Sequence, residues 1–402
     1  MLKDINGGIT APKGYKAAGV RAGIKKSGRE DVAVIHSITP ANMAALFTTN
    51  TMVAAPVIVS RRVAETGKAS AIVVNSGCAN ACTGEQGLTD ARSMAHITAK
   101  LLGVKDDEVL VASTGIIGVN LPMEKLAAGI KQAVIELSED GHEKAKQAIM
   151  TTDTFSKDCA YEFMLGGKPV RIAGMAKGSG MIHPNMATML AFVTTDAAVA
   201  APVLKQALAE AVNVSFNMIT VDGDTSTNDM ISVMANGLAG NKPIDSTAGN
   251  DYIVFAAALK VVCLHLAKLV ARDGEGATKF LEVTVRGAKD FADAKKAAMA
   301  VAKSPLVKTA FFGQDPNWGR ILCAVGYSEA ETNQEKTTLA ISGITIVKAG
   351  MGTDYDEKAL RAVMAAHDIN VTIDLGVGGA EATVWTCDFS YEYVKINGEY
   401  HT

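Results

Sequence analysis

Short apolar runs alternate along this chain with stretches of helical period. Val32-Ala33-Val34-Ile35, Ala71-Ile72-Val73-Val74 and Val109-Leu110-Val111 are bounded by turn residues and predict strands. Gly84 to Gly103 carries a helical period. Asn120 can cap a second helix, with Pro122 in its first turn and Glu124 nearby, running to about Leu137. Glu162 to Ala173 predicts a hairpin around Gly166-Gly167. Thr188 to Val193 predicts an apolar strand, while Leu204 to Val214 and Ile253 to Ala271 predict helices. Beyond Lys279 strands return, with helices near Ala292 to Ala302 and Glu357 to His367. This alternation predicts an α/β or α+β fold of layered sheets and helices. At 402 residues the chain exceeds one ordinary core, so two subdomains or one large layered body are expected. No linker-like segment or fixed-period repeat divides it.

Composition narrows the class. Apolar residues make up 48% and charged residues 20%, with 37 Gly and 10 Pro, as in a globular enzyme rather than a fibrous or disordered chain. A net charge of −3 leaves no basic footprint for nucleic acid. Lys260, His265 and Lys268 interrupt the apolar run from Ile253 to Ala271, which predicts a partly buried helix rather than a membrane span. The first eight residues lack the apolar stretch of a signal peptide, so a cytoplasmic protein is expected. Cys78, Cys82, Cys159, Cys263, Cys323 and Cys387 form no CxxC pair, and the seven histidines show no HExxH spacing. Reduced, mostly buried thiols and no metal site are expected, since zinc needs three or four convergent ligands.

The candidate chemistry lies between Lys177 and Val193, where a glycine-rich stretch leads into an apolar strand. A phosphate loop needs GxxxxGK[ST] entering a helix, whereas here the lysine comes first and a proline and a strand follow. Composition alone favours a surface loop before a strand. A third reading uses Thr188 at the first position of that strand. Its Oγ can add to the Ala187 carbonyl, giving an ester that water releases. The new α-amine, with an ordinary pKa of roughly 8, can then act as base for its own hydroxyl without a His or Asp partner.

Lys177-Gly178-Ser179-Gly180-Met181-Ile182-His183-Pro184-Asn185-Met186-Ala187-Thr188-Met189-Leu190 resembles the self-cleavage signature of the ornithine acetyltransferase (glutamate N-acetyltransferase) family. The resemblance runs along the whole chain. It includes Ala11 to Gly14, Asn75-Ser76-Gly77, Ser113 to Gly118, Thr151-Thr152-Asp153, Asp222 to Asp229 and Gly313 to Arg320.

It implies a self-cleaving, N-terminal-nucleophile-like α/β body with sheets sandwiched by helices. Cleavage at Ala187–Thr188 would give an α chain of residues 1–187 and a β chain of 188–402, which stay associated, as αβ units in a homo-oligomer. It implies Thr188 as nucleophile and Thr114 with Gly115 as oxyanion hole; by themselves the last two read as a strand-ending turn. Thr151, Thr152, Lys177, Thr188, Glu275, Asn397 and the terminal Thr402 are the implied substrate contacts. On their own, Lys177 reads as a solvated loop lysine and Asp273-Gly274-Glu275-Gly276 as an exposed turn.

The implied reaction moves an acetyl group from N2-acetylornithine to glutamate without a cofactor, and some family members also accept acetyl-CoA. A hydrolase of the related self-cleaving group, an aminopeptidase or amidase, is the alternative, and would be expected to carry Ser at the cut. Asp222 to Asp229 lacks the closing Glu of a calcium loop and is expected to support the site, while Trp318 and Arg320 are expected to pack.

Overall fold

A computed structural model describes residues 2–183 and 189–399. Two mixed sheets carry the fold. The nine-stranded sheet runs in the order Lys3–Asp4, Lys157–Leu165, Lys168–Lys177, Leu190–Thr195, Met230–Ala235, Val32–Phe47, Lys68–Cys78 and Val109–Ile116, with Tyr15–Val20 paired to Val32–Phe47 beside this path. The six-stranded sheet runs Met351–Gly352, Ile344–Lys348, Thr338–Ile341, Asp368–Asp374, Phe280–Ala288 and Ala380–Cys387.

Leu190–Thr195 and Met230–Ala235 pair in parallel at the centre of the larger sheet, and all twelve of their residues are buried. Burial on both faces explains why these strands are largely apolar instead of alternating, with Thr194, Thr195 and Ser232 as the polar exceptions. Leu190–Thr195 also pairs antiparallel with Lys168–Lys177. Residues on either side of position 187 therefore share one sheet, and that position is not a boundary between separate domains.

Helix Asn250–Arg272 has the length and composition to cross a membrane, yet its apolar stripe, including Phe255, Leu259, Val262 and Leu266, is buried inside the protein. It packs on Lys157–Leu165 and Lys168–Lys177 and also on Ala380–Cys387 of the other sheet. Its Lys268 pairs with Glu282 at 3.1 Å. By strand alternation Leu281, Val283 and Val285 then face the other way, toward helix Phe291–Lys303. The layers are thus sheet, helix, sheet, helix, as the alternation predicts, in one continuous body. Helices Ala55–Thr66, Gly84–Leu102 and Met123–Ile135 cover the Val109–Ile116 end of the larger sheet.

The Gly166-Gly167 hairpin forms as expected, with φ of 54° and 78° at the two glycines, the pair of positive values that a tight two-residue turn requires. Two local expectations fail. The strand beginning at Val32 continues to Phe47, because a register shift between His36 and Ala41 absorbs Pro40, which has no N–H for the ladder. The helix expected from Asn120 starts at Met123 with Pro122 at its N-cap, without a side-chain cap. Cys78, Cys263 and Cys387 are buried and Cys159 half-buried, but Cys82 and Cys323 are exposed. Among the described residues, the His142, Glu143 and Asp158 grouping has the spacing of a metal site. The ammonium of Lys146 already sits there, 2.8 Å from Glu143 and 3.0 Å from Asp158.

Candidate active site

Strand ends, turns and a helix, from seven parts of the chain, meet around a cavity of about 110 Å³. Its lining includes Thr114, Gly115, Thr151, Thr152, Lys177, Glu275 and Asn397. The other implied site residues, Ala187, Thr188 and Thr402, lie outside the described residues.

Thr114 and Gly115 come from the end of Val109–Ile116, beside the parallel strand Lys68–Cys78. Gly115 has φ of 129°, and a Cβ there would lie 2.6 Å from Cys78 N and 2.7 Å from Gly77 Cα. Only glycine lets these two strand ends approach so closely. The wall is completed by neutral hydrogen bonds. Ser113 Oγ donates to Asn75 Oδ1 at 2.6 Å, and the Asn228 amide donates to the Ala79 and Ser113 carbonyls at 2.6 and 2.9 Å.

Lys177 ends strand Lys168–Lys177, register-paired with Leu190. Rather than a solvated loop lysine it is 7% exposed, and its Nζ approaches Thr114 Oγ1 at 3.4 Å. Burial pushes its pKa below the ordinary lysine value, against the attraction of Asp153.

Beneath this wall lies a buried charged cluster. Lys157 Nζ donates to Asp153 Oδ1 at 2.7 Å and to Asp273 Oδ2 at 2.5 Å, and all three side chains are almost wholly buried. Asp153 also accepts the backbone N–H of Thr151 at 2.9 Å and of Gly178 at 2.7 Å. Asp273 accepts from the Thr154 N–H and hydroxyl, while Ser179 Oγ donates to the Asp273 carbonyl at 2.6 Å. Burial would raise the Asp153 pKa. The charges of Lys157 and Lys177, with the Gly178 N–H, instead hold it well below the carboxylate range. The cluster joins the Thr151-Thr152 turn, the glycine-rich stretch and the Glu275 turn into one support.

Residues 273–275 are buried, not an exposed turn. The Glu275 carboxylate lies against Gly180, where a Cβ would come within 2.6 Å of Oε1, and Asn397 Nδ2 donates to Oε2 at 2.8 Å. Asn397 belongs to helix Tyr391–Glu399, so an ordered helix near the chain end reaches the cavity. The glycine-rich stretch is further held by Asp222, whose carboxylate accepts the Met181 and Ile182 N–H groups at 2.6 and 2.8 Å. That matches the supporting role expected for Asp222 to Asp229. Trp318 packs against Gly352 and Arg320 donates to the Leu306 carbonyl, and neither lines the cavity.

From the sequence, Asp153 carries no task, Asp273 reads only as part of an exposed turn, and Lys157 does not stand out. The available signal was the placement of Lys157 four residues after Asp153 in a polar turn; its second partner, Asp273, stands 116 residues away.

A layered α/β frame whose strand ends enclose a small, charged cavity defines an enzyme with a site for a small polar molecule. The ArgJ family model matches residues 16–402, and the chain belongs to that family. It is 54% identical over 398 residues to the arginine biosynthesis bifunctional protein ArgJ of Symbiobacterium thermophilum, covering 98% of this chain and 99% of that one. The same-named protein of Caldanaerobacter subterraneus subsp. tengcongensis is 50% identical over 405 residues, covering both chains completely. The crystal structure of the arginine biosynthesis bifunctional protein argJ from Bacillus halodurans is similar with a TM-score of 0.52 and 46% identity. It covers 53% of this chain and 100% of that one.

Proposed function

We propose that this chain is an acetyltransferase of arginine biosynthesis that moves an acetyl group from N2-acetylornithine to glutamate through an acetyl ester of Thr188. The observation that carries this reading is the convergence of Thr114, Gly115, Thr151, Thr152, Lys177, Glu275 and Asn397 on one small cavity, from positions spread across the chain. Membership of the ArgJ family supports it.

In this reading the chain first cuts itself between Ala187 and Thr188, leaving residues 1–187 and 188–402. The second fragment is 53% of the chain, the share matched by the whole length of the solved Bacillus halodurans chain. The fragments hold together because Leu190–Thr195 is hydrogen-bonded between a strand of the first fragment and one of its own. They act as αβ units of a homo-oligomer in the cytoplasm.

The freed α-amine of Thr188 takes the proton of its own hydroxyl, and Oγ attacks the acetyl carbonyl of N2-acetylornithine. The oxyanion accepts from the Thr114 hydroxyl and the Gly115 N–H. Lys177 Nζ, donating to Thr114 Oγ1, leaves the Thr114 O–H free for this task. The C–N bond breaks, the proton passes to the departing amine of ornithine, and Thr188 carries the acetyl group. The neutral amine of glutamate then attacks the ester carbonyl, the C–O bond to Thr188 Oγ breaks, and the amine's proton passes through the Thr188 α-amine to Oγ, giving N-acetylglutamate and the free threonine. Lys177 and the Thr151-Thr152 turn hold the α-carboxylate shared by both amino acids, and Glu275 with Asn397 holds the cationic end of ornithine. Acetyl-CoA is a second donor to be tested in the same assay.

The purified protein, supplied with N2-acetylornithine with and without glutamate, tests this. Ornithine release in a single stoichiometric burst without glutamate, and sustained turnover with it, is expected. Acetate release independent of glutamate would show a hydrolase instead. Thr188→Ala should give one uncut, inactive chain.

A further inference from the structure

A second cavity, of about 660 Å³, opens on the other side of the glycine-rich stretch. Met181 lines the first cavity and His183 the second, so no more than about 7 Å of chain separates the two. Helix Phe291–Lys303 forms its main wall. One face of that helix buries Ala294, Ala297, Ala298 and Val301 in the core. The other turns Lys295, Lys296, Met299 and Lys303 to the cavity.

These lysines are not consumed by the protein. Lys295 and Lys303 form no ion pair with any described residue, and Lys296 pairs only with Asp293 of its own helix, at 3.2 Å. Among the described lining residues Glu329 is the sole carboxylate. Helix Pro305–Phe312 points its N-terminal end at the same space, through Ser304 and Pro305, adding the positive end of its dipole. Burial lowers the His183 pKa to about 4, assisted by Lys303 and Lys295, and its Nδ1 is buried without a partner. Lys295 and Lys303 thus present charge to the cavity without a carboxylate partner among the described residues, and an anion there would supply one. Beside them stand Met299 and the half-exposed ring of Tyr327, an apolar surface on which a planar ring can stack.

We infer that this second cavity binds a phosphate-bearing, nucleotide-sized organic anion, with the phosphates on Lys295, Lys296 and Lys303 and the ring system on Tyr327. The volume fits, falling within the roughly 300–1,000 Å³ of ordinary ligand pockets, whereas the first cavity is too small for such a molecule. Its closeness to the first cavity gives a bound ligand two uses: a handle by which a larger acyl donor is held, or an effector that acts on the glycine-rich stretch. The shared chemistry is the nucleotide phosphate.

Calorimetric titration of the full protein with ADP and with adenosine 3′,5′-bisphosphate tests this without reference to acetyl transfer, so it can fail independently of the activity assay. Saturable binding of at least one nucleotide is expected, weakened at least about tenfold by Lys295→Ala with Lys303→Ala, and several-fold by Tyr327→Ala and by added salt. Preference for the 3′-phosphate compound would mark an acyl-carrier handle; preference for ADP would mark an effector site. All three side chains are partly or fully exposed, so the variants should keep the wild-type melting temperature. Absence of saturable binding by both nucleotides, or binding indifferent to both lysine substitutions in folded protein, would overturn the inference.

Discussion

The Thr114–Gly115 wall of the first cavity is neutral and shaped by backbone, whereas the Lys177–Glu275 wall is charged and shaped by side chains. On the first, two strand ends touch so closely that Gly115 has no room for a Cβ, and neutral hydrogen bonds from Asn75, Ser113 and Asn228 close the structure. On the second, Asp153, Lys157 and Asp273 share buried charge and position the Thr151 turn, Gly178 and Ser179 around it. The neutral wall should therefore be sensitive to shape and indifferent to pH. The charged wall should respond to charge and pH.

Removing one member of the buried cluster should have the largest effect. Asp153→Ala leaves Lys157 with one carboxylate and strands two backbone donors, and a loss of about 3–5 kcal/mol is expected in denaturant unfolding. The same carboxylate sets a pH dependence. Its folded pKa is depressed, so the stability it contributes is full above the unfolded value of about 3.9 and fades as pH falls through and below that value. Melting temperature followed downward from neutral pH should show this slope, and Asp153→Ala should flatten it.

On the neutral wall, Gly115→Ala forces a side chain into φ of 129° and against Gly77 and Cys78. Displacing one oxyanion donor typically costs about 10² to 10³ in rate, and steady-state kcat should fall by that amount at every pH tested. A pH-dependent loss would erase the contrast between the walls.

Gly180→Ala is a smaller change on the charged wall. Its Cβ would press on the Glu275 carboxylate, and a KM for N2-acetylornithine raised about tenfold, with kcat held within a few-fold, is expected from loss of one charged contact. The smallest effect needs no mutation. Burial lowers the Lys177 pKa, so its ammonium is lost at a lower pH than an ordinary lysine's. KM for glutamate should climb on the alkaline side before free lysines titrate, and an unchanged KM there would remove Lys177 from carboxylate binding.

Local features were legible in the sequence and distant ones were not. The Gly166-Gly167 hairpin, the apolar central strand after Thr188 and the helix ending at Arg272 all rest on short-range pattern, and they form nearly where periodicity puts them. Val32 to Ile35 reads as a short strand, yet the strand continues past Pro40 through a register shift that only the pairing strand reveals. The resemblance supplied the names of the cavity residues. Composition and spacing alone would have left Thr114-Gly115 a turn, Lys177 a solvated side chain and Asp273 to Glu275 an exposed loop. What buries the last two is the Asp153–Lys157–Asp273 cluster, and its pairing spans 116 residues that no local window covers.

The proposed mechanism requires that Thr188 become a chain end and carry the acetyl group. Protein incubated with N2-acetylornithine in the absence of glutamate, quenched in acid and measured by intact mass with fragmentation, tests both halves at once. Two fragments are expected, the second starting at Thr188 and heavier by one acetyl group on that residue, with the added mass removed by glutamate. A single uncut chain with full activity, a second fragment starting elsewhere, or an acetyl group on another side chain would contradict it.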